Sequence, residues 1–263
     1  MTKETPLIEL NHVSMDYGQG AESVLALDDI DLEIQKNEFL CILGPSGCGK
    51  STLLKIIAGY QQPTEGEATF QGKVIKGPDW HRGVVFQSPT LYPWLSVKDN
   101  VGFGPKVRGV KKDKIDQITD QFLDQIGLLK DKDKAVFDLS GGMRQRVALA
   151  RVLANEPEMI LMDEPLGALD ALTRLNMQKL IRDLWHKNKN TVMMITHDVD
   201  EALSLGTRVI VMSKQPGTII KTYDLDYTYQ ALEKDNHRVK VDEQYLEIKN
   251  DILDLINADL NEA

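Results

Sequence analysis

The sequence predicts an α/β fold built on a parallel sheet, and three observations carry that expectation. The stretches 39–43, 159–162, 192–195 and 209–212 are continuously apolar rather than alternating, the pattern of strands buried on both faces. Each is associated with a helical segment, and strands separated by helices form a sheet covered on both sides. A glycine-rich turn, Gly44, Pro45, Ser46, Gly47, Cys48, Gly49, Lys50 and Ser51, joins the first strand to the helical segment that begins at Lys50.

The other elements follow in chain order. Ile30, Leu32 and Ile34 alternate with Asp31, Glu33 and Gln35, which reads as a half-exposed antiparallel sheet. Between Pro89 and Leu139 the strand signal disappears, and 112–126 is the best helix, so a helical lobe at about 89–154 is expected to be inserted in the sheet domain. At about 1.5 Å per helical residue the stretch from Gln87 to Ser140 cannot form long paired arms. After Ser213, Gly217 marks a turn and 218–222 a last strand, whereas the polar segment up to about Arg238 has no readable structure. Tyr245, Ile248, Ile252, Leu255 and Ile256 recur at helical spacing, predicting an amphipathic terminal helix that packs on its own domain or docks a partner. The expected organisation is one domain over 1–238 and a helical extension over 239–263.

Composition narrows the class. At 263 residues the chain lies at the upper edge of a single domain with a subdomain. A content of 42% apolar and 27% charged residues fits a globular protein. A net charge of −9, spread along the chain, disfavours a sequence-independent grip on nucleic-acid phosphates. The start, Met1 to Pro6, has no positive region followed by an apolar core, so no signal peptide is expected. The apolar stretches are far shorter than the roughly 18 to 20 residues that cross a bilayer, so any membrane role comes through a partner. Cys41 and Cys48 read as a buried strand residue and a loop residue, not as a disulfide or metal pair, which fits a reducing cytosolic compartment.

The chemistry is carried by a few positions. In the turn from Gly44 to Ser51, glycines let backbone N–H groups point inward around phosphates, and the helix N-terminus adds positive partial charge. Lys50 neutralises β and γ oxygens, and Ser51 offers its hydroxyl to Mg²⁺. A plain glycine turn before a buried helix would not require Lys and Ser at those offsets. The strand 159–162 delivers Asp163 and Glu164 to the sheet edge where open α/β sheets bind ligands. There Asp163 suits Mg²⁺ through water, and Glu164 suits orienting and deprotonating an attacking water.

Other positions are open when read alone. His197 precedes Asp198 and Glu201, a capping arrangement, and reads either as a bridge from the γ-phosphate or as a strand-end histidine satisfied locally. Gln87 ends the strand 83–86 with an amide that suits Mg²⁺ and the γ-phosphate, but means nothing alone. Tyr17, beside Gly18 and Gly20, reads as an adenine platform or as ordinary packing. Leu139, Ser140, Gly141 and Gly142 form a serine-capped helix start.

In this order, these residues resemble the ATP-binding subunit of an ABC transporter over nearly all of residues 6–215. The resemblance implies a P-loop NTPase fold of ABC type, with an antiparallel β-subdomain and an inserted α-helical subdomain. It implies Tyr17 as the adenine-stacking aromatic, Gly44 to Ser51 as the Walker A loop with Thr52 beside it, and Gln87 as the Q-loop glutamine. Leu139 to Gly142 becomes the signature, 159–163 Walker B, Glu164 the general base, Asp170 after Ala168 and Leu169 the D-loop, and His197 the switch histidine. Lys50, Glu164 and His197 are then catalytic, and Ser51, Gln87 and Asp163 hold Mg²⁺. Ser140, Gly141, Gly142 and Asp170 serve the ATP of a partner subunit, which makes a dimer the working unit. No motif is missing or degenerate, implying two competent sites per dimer.

Within the family, the stretch Gln87, Ser88, Pro89, Thr90, Leu91, Tyr92, Pro93, Trp94 and Leu95 is similar to the import subunits of the nitrate, sulfonate and taurine group. That apolar loop reads as a groove for a short permease helix, or as a satellite core under a long loop. The implied partners are a second ATPase subunit, identical or paralogous, integral membrane permease subunits docking near Gln87 to Leu95, and indirectly an extracytoplasmic solute-binding protein. Nucleic acid is not among them. The implied location is peripheral, on the cytoplasmic face of the cell membrane. The rival is a soluble, non-transport ABC ATPase that remodels a protein or nucleic-acid complex.

Overall fold

The computed structural model describes residues 5–18, 23–234 and 239–261. The chain divides into two compact units, 1–79 with 189–263, and 80–188.

The first unit holds two sets of strands. β1 (Ile8–Tyr17) pairs antiparallel with β2 (Val24–Ile34) and with β4 (Glu65–Phe70), and β4 pairs with β5 (Lys73–Val74), in the order β2-β1-β4-β5. The register sets Ile8 opposite Ile34 and Leu10 opposite Leu32, so one apolar face is buried while Asp31 and His12 stay exposed, as alternation requires. Register shifts bend β1 between Leu10 and Val13, where His12 is left-handed at φ 50°, the signature of a bulge.

β3 (Phe39–Leu43), buried at all five residues, runs parallel to β8 (Thr191–Ile195) on one side and β9 (Arg208–Met212) on the other. β10 (Ile219–Asp224) closes the edge antiparallel to β9. A continuously apolar strand is thus central, while the more polar β10 takes the edge, as burial on one or both faces dictates. The expected last strand, 218–222, is found shifted toward the C-terminus. The unit also carries α1 (Lys50–Ala58), α6 (Val199–Leu205), α7 (Tyr227–Leu232) and α8 (Glu243–Asn261). The terminal amphipathic helix is present as α8, with Tyr245 and Ile252 buried.

The second unit pairs β6 (Arg82–Val85) parallel with β7 (Met159–Asp163). Around them lie α2 (Val97–Val107), α3 (Lys112–Gln125), 3-10 turns at Leu129–Asp131 and Val136–Asp138, α4 (Gly141–Leu153) and α5 (Ala171–Asn188). α2 starts where the Ser96 hydroxyl accepts from Asp99 N at 3.1 Å, a serine N-cap. α3 covers the predicted helix, ending one residue early with Ile126 as its C-cap, and it buries Ile118, Phe122 and Leu123. No helix among the described residues is long and apolar enough to cross a membrane.

Candidate nucleotide site

The phosphate loop lies in the first unit. Gly49 is the N-cap of α1 at φ 91°, supplies no side-chain cap, and is followed by a first turn without an acidic residue. A Cβ at Gly49 would lie 2.6 Å from Leu27 Cδ2 and 2.7 Å from Ala26 O, so only glycine fits both the angle and the space. Pro45 and Cys48 are buried while Ser46, Gly47 and Ser51 are exposed, presenting one polar rim of the loop. Lys50, only 8% exposed, donates from Nζ to Gly44 O at 2.8 Å and to Pro45 O at 2.7 Å. An uncapped helix N-terminus with a lysine folded over its loop is an anion cradle in its chemistry.

Tyr17 stands beside this helix. Its hydroxyl donates to Gln61 Oε1 at 2.8 Å and lies 3.2 Å from the Thr52 hydroxyl, which fixes the ring while leaving it 36% exposed. His197 follows buried β8 and is exposed. The segment after it is locked: Thr196 Oγ1 donates to Glu201 Oε2 at 2.7 Å and accepts from Asp198 N at 3.1 Å, and Asp198 Oδ1 accepts from Glu201 N at 3.1 Å. Both cysteines are free and buried, and burial pushes the Cys41 thiol well up.

The carboxylates and the signature lie in the second unit. Buried β7 ends at Asp163, and Glu164 follows in a left-handed conformation at φ 45°. Such a conformation costs a non-glycine residue on the order of 1 kcal/mol or more and is characteristic of functional turns. Gln87 Nε2 donates to Glu164 Oε2 at 3.3 Å, joining two predicted residues far apart in sequence. Ser140 caps α4, its hydroxyl accepting from Met143 N at 3.3 Å, and both Ser140 and Gly141 are exposed. A Cβ on Gly142 would lie 2.6 Å from Thr173 Cγ2, so the signature sits against the start of α5. There Asp170 Oδ1 accepts from Thr173 N at 3.0 Å, and its bonds with Thr173 hold the Asp170 carboxyl below the usual range.

Two residues near the loop carry no signal in the sequence. Arg151, on the same helix as the signature, donates to Thr90 O at 2.9 Å, to Thr90 Oγ1 at 3.1 Å and to Pro89 O at 3.3 Å. Fully buried Asn100 accepts from Tyr92 N at 2.8 Å and donates to the carbonyls of Tyr92, Leu95 and Ser96. Together they fix the loop from Gln87 to Leu95, whose Trp94 is 76% exposed. Next to it, a groove of about 740 Å³ is lined by Leu95, Phe103, Val107, Val110 and Ile115, with Lys98 and Asp116 at its rim. No sequence signal marks Arg151 or Asn100, since their partners are set by tertiary placement.

A glycine-lined loop opening a helix off a buried strand, with an acid pair ending another, defines a P-loop nucleotide-binding α/β protein. The chain belongs to the ABC transporter family, whose model matches residues 27–167. It is 48% identical to a taurine import ATP-binding protein of Roseobacter denitrificans over 95% of this chain and 93% of that protein. It is 46% identical to an uncharacterized ABC transporter ATP-binding protein of Methanocaldococcus jannaschii, over 96% of this chain and 92% of that one. Among solved structures it resembles a dimeric ATP-binding cassette in a post-hydrolysis state bound to ADP and Pi, with TM-score 0.73 and 32% identity over 83% of this chain and 98% of that one. A Clostridium perfringens protein described as part of the ABC transporter complex cbiONQ matches with TM-score 0.79 and 28% identity, over 99% of this chain and all of its own. The fold is that of a P-loop ABC-type ATPase, and its nucleotide is ATP.

Proposed function

We propose that this chain is the ATP-hydrolysing subunit of an importer for a small sulfonate-like solute, working as a head-to-tail dimer around two ATP molecules. Glu164 carries this reading: a carboxylate at the end of a buried strand, held at φ 45° and touching Gln87 at 3.3 Å. In this position it takes the proton of the attacking water. Lys50 exchanges its loop carbonyls for phosphate oxygens, and the N–H groups at the start of α1 turn toward the same phosphates. His197 holds the γ-phosphate side of the water, and Tyr17, tethered through Gln61 and Thr52, carries the adenine.

The hydroxyl of Ser51, the amide oxygen of Gln87 and the carboxylate of Asp163 are hard oxygen donors of the kind Mg²⁺ takes. When bound, that ion neutralises charge on the transferred phosphoryl group. Ser140, Gly141, Gly142 and Asp170 complete the site of the second subunit. The loop from Gln87 to Leu95 and the adjoining groove receive a short helix of a membrane permease, which keeps the chain peripheral on the cytoplasmic face. The helical lobe at about 89–154 is a subdomain inserted in the core domain over 1–238, and 239–263 is its helical extension. An extracytoplasmic solute-binding protein supplies the permease. The sulfonate assignment is supported by relatives named as taurine import proteins.

The reading is tested with Glu164→Gln. The variant is expected to keep ATP affinity and accumulate as a closed dimer while phosphate release falls by about 10² to 10³. Parental phosphate release would remove Glu164 as the base. Loss of taurine uptake, with nitrate uptake intact, in cells carrying that variant checks the cargo.

A further inference from the structure

α8 reaches back to the segment that carries His197. α6 begins two residues after His197, and Asp200 lies in its first turn. Two side chains one helical turn apart on α8 converge on the Asp200 carboxylate. Tyr245 Oη donates to Oδ1 at 2.9 Å, and Lys249 Nζ donates to Oδ1 at 2.9 Å and Oδ2 at 2.8 Å. Tyr245 is 4% exposed and meets the ring of Tyr227 on α7 edge-on at 5.2 Å, so it has no freedom to follow a drifting α6. Burial and then the bond to Asp200 push its phenol upward, which keeps it a donor at every physiological pH.

The far side of α8 is tied as well. Asp251 accepts from Lys221 Nζ and Tyr223 Oη on β10, and Ile252 is fully buried. α8 is therefore fastened to the edge strand and presents a fixed pair of donors to a seven-residue helix. A helix that short has little stability of its own, so its orientation is set by what holds it. Its N-terminal lock ties Thr196 and Asp198, the two residues that flank His197, to Glu201 of the helix.

We propose that Asp200 is a positioning residue for His197, with Tyr245 and Lys249 of the terminal helix setting the attitude of α6 and hence of the imidazole. The proposal rests on the reading of His197 as a group that acts on the γ-phosphate and water. Releasing the strap leaves nucleotide binding at the phosphate loop intact and slows the chemical step, because the imidazole no longer sits in register.

The test is ATP turnover by the purified full chain. Asp200→Ala and the double variant Tyr245→Phe with Lys249→Met remove the same bonds from opposite sides. Each is expected to lower kcat about tenfold while the KM for ATP stays within about twofold. The two are compared with His197→Ala alone and combined with it. If the imidazole is the receiver, the strap variants add no further loss to His197→Ala, a strongly non-additive cycle. Parental kcat in both strap variants, or losses that multiply with His197→Ala, overturns the proposal. Parental kcat in His197→Ala would overturn the reading of His197 and the strap together, a result separate from failure of the strap alone. Should Asp200→Ala not fold, the α8 double variant decides.

Discussion

The guanidinium of Arg151 grips Thr90 at two points, its carbonyl at 2.9 Å and its hydroxyl at 3.1 Å, with Thr90 held in a left-handed conformation at φ 47°. Arg151 lies near the end of α4, and Ser140 caps the start of the same helix. One rigid rod thus carries both the signature and the clamp on the proposed docking loop.

Arg151→Ala is expected to destabilise the chain by about 1 to 3 kcal/mol, the scale for losing bonds from a charged donor. Amide hydrogen exchange between Phe86 and Leu95 should rise by more than in the rest of the chain. Arg151→Lys should recover only part of the protection, because a single ammonium cannot span the carbonyl and hydroxyl as the planar fork does. Unchanged exchange in Arg151→Ala would show that the loop holds itself.

Asn100 makes a second anchor from within. Replacing it by Leu takes the side-chain partner from the Tyr92 N–H and the Leu95 carbonyl, while the Tyr92 and Ser96 carbonyls keep the backbone N–H groups of Leu95 and residue 100, and is expected to cost about 2 to 4 kcal/mol. Urea unfolding measures this, and a loss under half a kilocalorie would mean that water replaces the amide.

Lys50→Ala should weaken ATP binding by about 10- to 100-fold, the equivalent of one charge-assisted hydrogen bond. Calorimetric titration of the full chain with ATP gives the number. Equal affinity would detach Lys50 from the phosphates.

His12 supplies a pH-dependent pair on the exposed side of the antiparallel sheet. Its Nδ1 lies 2.8 Å from Asp29 Oδ1, and that bond, followed by the charge of Asp31, raises the imidazole above its ordinary value of 6.5. A raised folded value means that the stabilisation is complete below pH 6.5 and is lost as pH rises through the folded value. The melting-temperature difference between the parent and Asp29→Asn should therefore be largest in mild acid and vanish in alkali. A difference that grows with pH would reverse the assignment.

The elements legible in the sequence are those whose physics is local or periodic. β3, with all five residues buried, announces itself by an unbroken apolar run, and α3 by its spacing, to within one residue. The loop from Gly44 to Ser51 is legible because φ 91° at Gly49, and Leu27 and Ala26 standing where a Cβ would go, admit little but glycine. α7, only six residues long, is too short for a period to show and was not readable. Arg151 and Asn100 stayed hidden for another reason. The Arg151 clamp spans 61 residues of sequence, and the donors of an Arg or Asn say nothing about which carbonyl they will find. The same holds for Asp200, whose partners lie 45 and 49 residues onward.

The claim that each ATP is enclosed by Lys50 of one subunit and Ser140 of the other is tested most directly by mixing two inactive chains. Lys50→Ala removes the phosphate lysine, and Ser140→Asp keeps the N-cap of α4 while placing a negative charge against the γ-phosphate. Alone, each homodimer should turn over little ATP. Mixed in equal amounts, half of the dimers hold one site of the two with both Lys50 and Ser140 intact, and ATPase activity should return to about a quarter of the parental rate. A mixture no more active than its components would mean that Lys50 and Ser140 serve the same subunit's ATP, and would contradict the account.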